Sequence, residues 1–183
     1  MRIVTQINDE DYIAFNNAYQ FKCEEGKKRL TLYMVLFSVM LGMSVLLILV
    51  DILNGLLNGK LHFSDFVMPI FIAVYCIYFL VAIKSRIRKK IRKRVEKYRQ
   101  EGTLLYDPEA TIDFTDEMIM EYTPKSTTRR EWSEIKSIIV DDEHYYLMHG
   151  PMQGMIIPIR CLGAEANTFL PYVQKRTGLG VIK

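Results

Sequence analysis

LTLYMVLFSVMLGMSVLLILV, Leu30 to Val50, runs for 21 residues without a charge. As an α-helix rising about 1.5 Å per residue it would be roughly 31 Å long, the thickness of a bilayer core. A buried helix in a small soluble domain keeps a polar side, and this run has none. A second run, FVMPIFIAVYCIYFLVAI from Phe66 to Ile83, adds 18 uncharged residues, roughly 27 Å as a helix. The two runs predict a transmembrane hairpin, with helix 1 over 30–53, helix 2 over 66–83 and the connection NGLLNGKLHFSD over 54–65. The first run is not expected to be a signal peptide. It starts late, is long, and lacks a small-residue cleavage pattern.

The flanks orient the hairpin. Lys22, Lys27, Lys28 and Arg29 precede helix 1, the connection holds only Lys60, and KSRIRKKIRKRVEKYRQ follows helix 2. That last stretch, 84–100, holds ten basic residues and one acidic one, although the whole chain is only +3. The positive-inside rule then puts both termini in the cytoplasm and the connection outside. The basic excess is local, since 101–183 carries thirteen acidic against eight basic residues. A juxtamembrane segment accounts for the charge, and no nucleic acid is expected as a partner.

Within 84–100 the apolar residues Ile87, Ile91, Val95 and Tyr98 continue a stripe from Ile83 at spacings of 4, 4, 4 and 3. This predicts that helix 2 continues into the cytoplasm as a basic amphipathic helix. Its basic side chains attract anionic lipid headgroups, at about 1 kcal/mol per residue near the surface. The expected headgroup contacts are Arg86, Arg88, Lys89, Lys90, Arg92, Lys93 and Arg94.

Residues 1–29 form an N-terminal cytoplasmic segment. RIVTQI suits a short strand. NDEDYIAFNNAYQF suits a helix capped by Asn8 or Asp9, with Tyr12, Phe15 and Tyr19 on one face. Residues 101–183 read as short strands in meander order, then a helix over GAEANTFLPYVQKRTG that Pro171 kinks or breaks. Ala110, Ile112 and Phe114 alternate with polar residues, as do Met118, Met120 and Tyr122. TDE and TPKS mark turns. The fold class expected is α+β: a two-helix transmembrane hairpin plus a small antiparallel β domain closed by a C-terminal helix.

Glu10-Asp11-Tyr12 with Phe15, EWSEIKSIIVDDEHYYL with Trp132 and Ile135, and Ile156 to Arg160 (IIPIR) together resemble the YcxB-like family of bacterial membrane proteins. The resemblance extends over nearly the whole chain. It implies a pleckstrin-homology-like C-terminal domain of about seven strands and a helix, in the inner membrane of a bacterial cell. Ile159 and Cys161-Leu162 stand where a Lys and an aromatic residue are expected, which weakens any binding role for that stretch. The family brings no catalytic activity with it.

The residues themselves point to no enzyme, metal or cofactor. Cys23, Cys76 and Cys161 are scattered, without CxxC spacing. They suit soluble parts in a reducing compartment. Cys161 lacks an activating neighbour. His144 and His149 read as surface histidines, and Asp141, Asp142 and Glu143 as a solvated turn. Trp132 reads as core. P-loop, GxGxxG and HExxH motifs are absent. No ionisable residue lies mid-span, so transport is not indicated. Ser38 and Gly42 form a small-xxx-small pair able to pack helices within the hairpin or between copies, which makes a homo-oligomer one candidate. The expected function is a non-enzymatic membrane tether for an interaction module that binds a protein or lipid headgroups. The alternative is an accessory subunit of a membrane export or envelope-defence complex, recognised through the hairpin.

Overall fold

The computed structural model describes residues 1–59 and 63–183; Lys60, on which part of the orientation reading rests, lies outside them. The chain divides into two compact units, residues 1–27 with 90–183, and residues 28–89.

The first unit is built on two four-stranded sheets. Strands β1 (Arg2–Gln6), β2 (Glu109–Phe114), β3 (Met118–Tyr122) and β4 (Thr127–Glu131) lie side by side in that order, antiparallel throughout. The second sheet has the order β7 (Gln153–Pro158), β6 (His144–Gly150), β5 (Ser137–Val140), β8 (Val181–Ile182), in which β8 runs parallel to β5. β1 is thus fastened to a strand more than a hundred residues away, and the Thr5 hydroxyl donates to the Ala110 carbonyl at 3.0 Å.

The second sheet is buried on both faces. Ile138, Tyr145, Leu147, Met155 and Ile157 join Ile3, Ile112, Phe114 and Ile119 of the first sheet in one core. On the other face Ile139, Tyr146, Met148 and Ile156 pack against Phe15, Ala18 and Tyr19 of helix α1 (Asp9–Lys22). Such double burial suits the near-continuous apolar runs SIIV and YYLM, and a strand covered on one side alternates instead. Helix α4 (Ala166–Thr177) closes the sandwich with Phe169 and Val173. Pro171 neither breaks nor interrupts it. One backbone bond is lost there, and the buried Phe169 and Val173 hold the helix on either side.

The alternation in β3 runs opposite to expectation. Ile119 is the buried residue, and Met118, Met120 and Tyr122 are only half-buried. Register is the cause. Phe114 pairs with Ile119 and Ile112 with Glu121, so the inward face of β2 selects the odd residues of β3.

Helices α2 (Glu24–Asn58) and α3 (Phe63–Gln100) supply the two apolar runs, and both are long and apolar enough to cross a membrane. Within the second unit they meet through Phe37 stacked on Phe79, ring centres 3.8 Å apart, and Cys76 and Ser44 are buried. Many of the other apolar side chains point outward, with Leu57 and Val81 about four-fifths exposed (82% and 80%). Most of the connection expected over 54–65 is helical, because α2 runs on to Asn58 and α3 already starts at Phe63. Ser38 and Gly42 lie on exposed positions of α2, with open space where a Cβ on Gly42 would point. α3 is continuous into the basic stretch, burying Ile83 and Val95 of the predicted stripe and partly covering Ile87 and Ile91.

Candidate functional site

The charged residues of α3 have different surroundings. Arg86 reaches back along its own helix and lays its guanidinium over Tyr78 and Phe79, 4.7 and 5.6 Å from the ring centres. Arg88, Lys89, Lys90, Lys93 and Arg94 are exposed. Arg92 donates to Glu10 at 3.0 Å, and Arg99, not among the expected contacts, donates to Asp9 at 2.7 Å. Of the seven expected headgroup residues, then, Arg92 is engaged by an acidic partner on α1.

That partner is the first turn of α1. Asn8 caps the helix: its side chain accepts from the Asp11 N–H at 3.0 Å, and the Asp11 carboxylate accepts from the Asn8 N–H at 2.8 Å. The cap satisfies donors that a helix start leaves open and favours acidic residues there. Asp9, Glu10 and Asp11 follow at about 100° intervals around the helix, so each faces a different neighbour. Asp9 takes Arg99 and the Tyr106 hydroxyl, the latter at 2.6 Å. Glu10 takes Arg92. Asp11 takes both guanidinium nitrogens of Arg160, at 2.8 and 2.5 Å, and faces His144 Nε2 at 2.8 Å.

Asp11 is 3% exposed. Burial alone would raise its pKa, but the hydrogen bonds from Arg160, His144 and the Asn8 backbone outweigh burial and bring the carboxyl down to about 2. Beyond it the network continues. His144 Nδ1 is 3.0 Å from Asp141 Oδ1, and the Tyr146 hydroxyl donates to Asp141 Oδ2 at 2.6 Å. Burial pushes Asp141 up, and the bonds from Tyr146, the Glu143 backbone and His144 pull it below the usual range. Tyr146 and Tyr106 both move up, first by burial and then through their carboxylate partners.

Two readings of the sequence are corrected here. His144 is not a surface histidine: it is 3% exposed and sits between two carboxylates. Asp141 is not simply solvated: it accepts the Glu143 and His144 N–H groups as well as the Tyr146 hydroxyl. Asp142 and Glu143 are exposed, as read. His149 is half-buried, 3.4 Å from Arg130; burial and then that guanidinium hold its pKa below the ordinary value. Trp132 is core, its Nε1–H donating to the Thr115 carbonyl at 3.0 Å. Of the network residues, Arg160 carried a signal, as the one charge within the apolar IIPIRCL. Asp11 and Asp141 stand in the acidic runs NDED and DDE, and nothing in the sequence sets them apart from their neighbours.

An open groove of about 530 Å³ runs beside the acidic turn, with Ile7, Ile13, Val95 and Leu104 as its apolar lining and Arg92 and Arg99 on its rim. Among the described residues, no three His, Cys, Asp or Glu side chains are grouped to hold a metal ion. Each carboxylate of the turn is committed to a cation or a hydroxyl. Chemically, the arrangement holds elements together.

Residues 114–170 match the family model of YcxB-like protein. The YcxB-like stretch runs from the end of β2 into α4, and so contains Trp132, Asp141, His144, Tyr146 and Arg160. Asp11, the apolar helices and the basic stretch lie outside it. No curated protein and no solved structure gives a match.

Proposed function

We propose that this protein is a non-enzymatic integral membrane protein that tethers a pleckstrin-homology-like interaction module to the cytoplasmic face of a bacterial inner membrane. One observation carries the reading. A single compact unit is made from chain on both sides of the apolar hairpin, 1–27 and 90–183. A single body stands on one side of a bilayer, so a chain that leaves it and returns crosses the bilayer an even number of times. Two apolar helices with outward-facing Leu, Val and Ile side chains meet that requirement, because lipid is the solvent those side chains need. The seven antiparallel strands β1–β7 together with α4 support the module reading, and the short parallel β8 beyond α4 is an addition to that pattern. The Lys and Arg residues on both flanks support a cytoplasmic module.

The basic stretch gives the tether an electrostatic hold on anionic headgroups, and Arg86 over Tyr78 suits a lipid interface, where aromatic rings and long cations gather. The module binds a partner protein, for which β4, an edge strand of its sheet, offers a place to add a strand.

Topology is the test. With Cys23, Cys76 and Cys161 replaced by Ser, single cysteines go in at Gly59 and at Thr177 for labelling by a membrane-impermeant maleimide. Gly59→Cys should label in intact spheroplasts and Thr177→Cys only after lysis. Labelling of Thr177→Cys from outside, or release of the protein by carbonate washing, would overturn the reading.

A further inference from the structure

The structure gives the cations of the basic stretch different neighbours. We infer that the stretch is divided between two jobs: the part up to Lys90 attracts anionic headgroups, and Arg92 and Arg99 clasp the acidic first turn of α1. This deepens the membrane-tether reading and rests on it.

Occupancy is the first argument. Arg99 is bound to Asp9, which is 19% exposed and also accepts from the Tyr106 hydroxyl, and Arg92 is bound to Glu10. Reach is the second. Along a continuous helix, Lys89 and Lys90 stand about 9 and 10 Å beyond Ile83, Arg92 about 14 Å and Arg99 about 24 Å. Screening at physiological salt acts over about 8 Å. Helical side chains lean toward the N-terminus, which for α3 is toward the second span, and Arg86 shows that lean in reaching Tyr78. Lys89 and Lys90 can therefore snorkel back into range. Even at a tilt of about 40°, the far end of the usual range, Arg99 stays roughly 18 Å away.

The two contacts of the clasp are unequal. Arg92–Glu10 is exposed on both sides, and such pairs contribute little. Arg99–Asp9, with Asp9 sheltered and bound to Tyr106, is the stronger half. The groove beside them then reads as the seam between α1 and α3, with Val95 and Ile13 among its lining.

Full-length protein in detergent is titrated with phosphatidylglycerol, bound lipid is counted by native mass spectrometry, and amide exchange of residues 9–13 is followed in parallel. Lys89→Gln with Lys90→Gln should weaken phosphatidylglycerol binding about 25-fold, roughly fivefold per cation, with α1 exchange unchanged. Arg92→Gln with Arg99→Gln should leave lipid affinity within about twofold, while residues 9–13 exchange on the order of fivefold faster. Asp9→Asn should give the same loosening from the other side of the pair. If the arginine pair weakens lipid binding as much as the lysine pair does, the division is wrong and the membrane reading stands. Unchanged α1 exchange in both Arg92→Gln/Arg99→Gln and Asp9→Asn overturns the clasp. Lipid binding that survives the lysine changes overturns the headgroup half of the inference, and the membrane reading stands as long as the same variant resists carbonate washing.

Discussion

Asp11 joins α1 to the sheets through Arg160 and His144. A buried carboxylate is stable only when its lone pairs are filled, and here Arg160, His144 and the Asn8 backbone fill them. Asp11→Asn removes the charge that Arg160 and His144 face. Arg160 is half-exposed and regains water, so the loss should be about 2–4 kcal/mol in urea unfolding, below that for breaking a fully buried pair. The pH dependence has a definite sign. The folded pKa of about 2 lies below the ordinary 3.8, so the stabilisation is complete above the ordinary value and is lost as pH falls through 4 toward 2. In full it is worth about 2 kcal/mol, of which about 1 is gone by about pH 3. Unfolding at about pH 6 and about pH 3 should show that loss in the native chain, and a correspondingly smaller one in Asp11→Asn. Equal losses in both would show that other carboxylates control the acid limb. None of this was visible from spacing. His144 and Asp11 are 133 residues apart, and periodicity reports the face a residue takes but not its partner.

At the scale of the element, patterns of one residue type read well and patterns that compete read badly. RIVTQ, HYYLMHG, the Asn8 cap and the continuous basic helix all follow from local chemistry. β3 does not, because MIMEY offers apolar residues to both faces and only its pairing with β2 decides between them. The decision is measurable. Ile119→Ala should lose about 2–4 kcal/mol, as a fully buried side chain does, and Met120→Ala less than about 1. Comparable losses would mean the register is wrong. A second element-level constraint lies at the corner between α1 and α2. A Cβ on Gly26 would collide with the carbonyl oxygens of Tyr19 and Gln20. Those are backbone atoms and cannot swing aside. Gly26→Ala should therefore shift the corner and lower stability by about 1–3 kcal/mol, seen as faster amide exchange in residues 19–26.

At the scale of the molecule the hairpin is an insertion between β1–α1 and β2. Order along the chain suggested an N-terminal segment, a hairpin and then a β domain. The strand pairing instead puts Arg2–Gln6 beside Glu109–Phe114. Such a fold makes its N-terminal strand wait until residues beyond the hairpin are available, and the delay has a consequence for truncated chains. A chain ending at Gln100 keeps both apolar helices and the clasp residues Arg92 and Arg99. It loses β2 beneath β1, Tyr146 and Ile156 beneath Phe15, and both Arg160 and His144 from Asp11. What remains around α1 is chiefly the ion pairs with α3, worth about 1 kcal/mol or less apiece when exposed. Helices of that length are marginal without a packed face. Residues 9–22 should therefore be protected from amide exchange in the full chain and exchange freely in the truncated one, although both sediment with membranes. Protection that survived the cut would show that α1 is held by α3 alone, and the long-range network around Asp11 would then be secondary to the clasp.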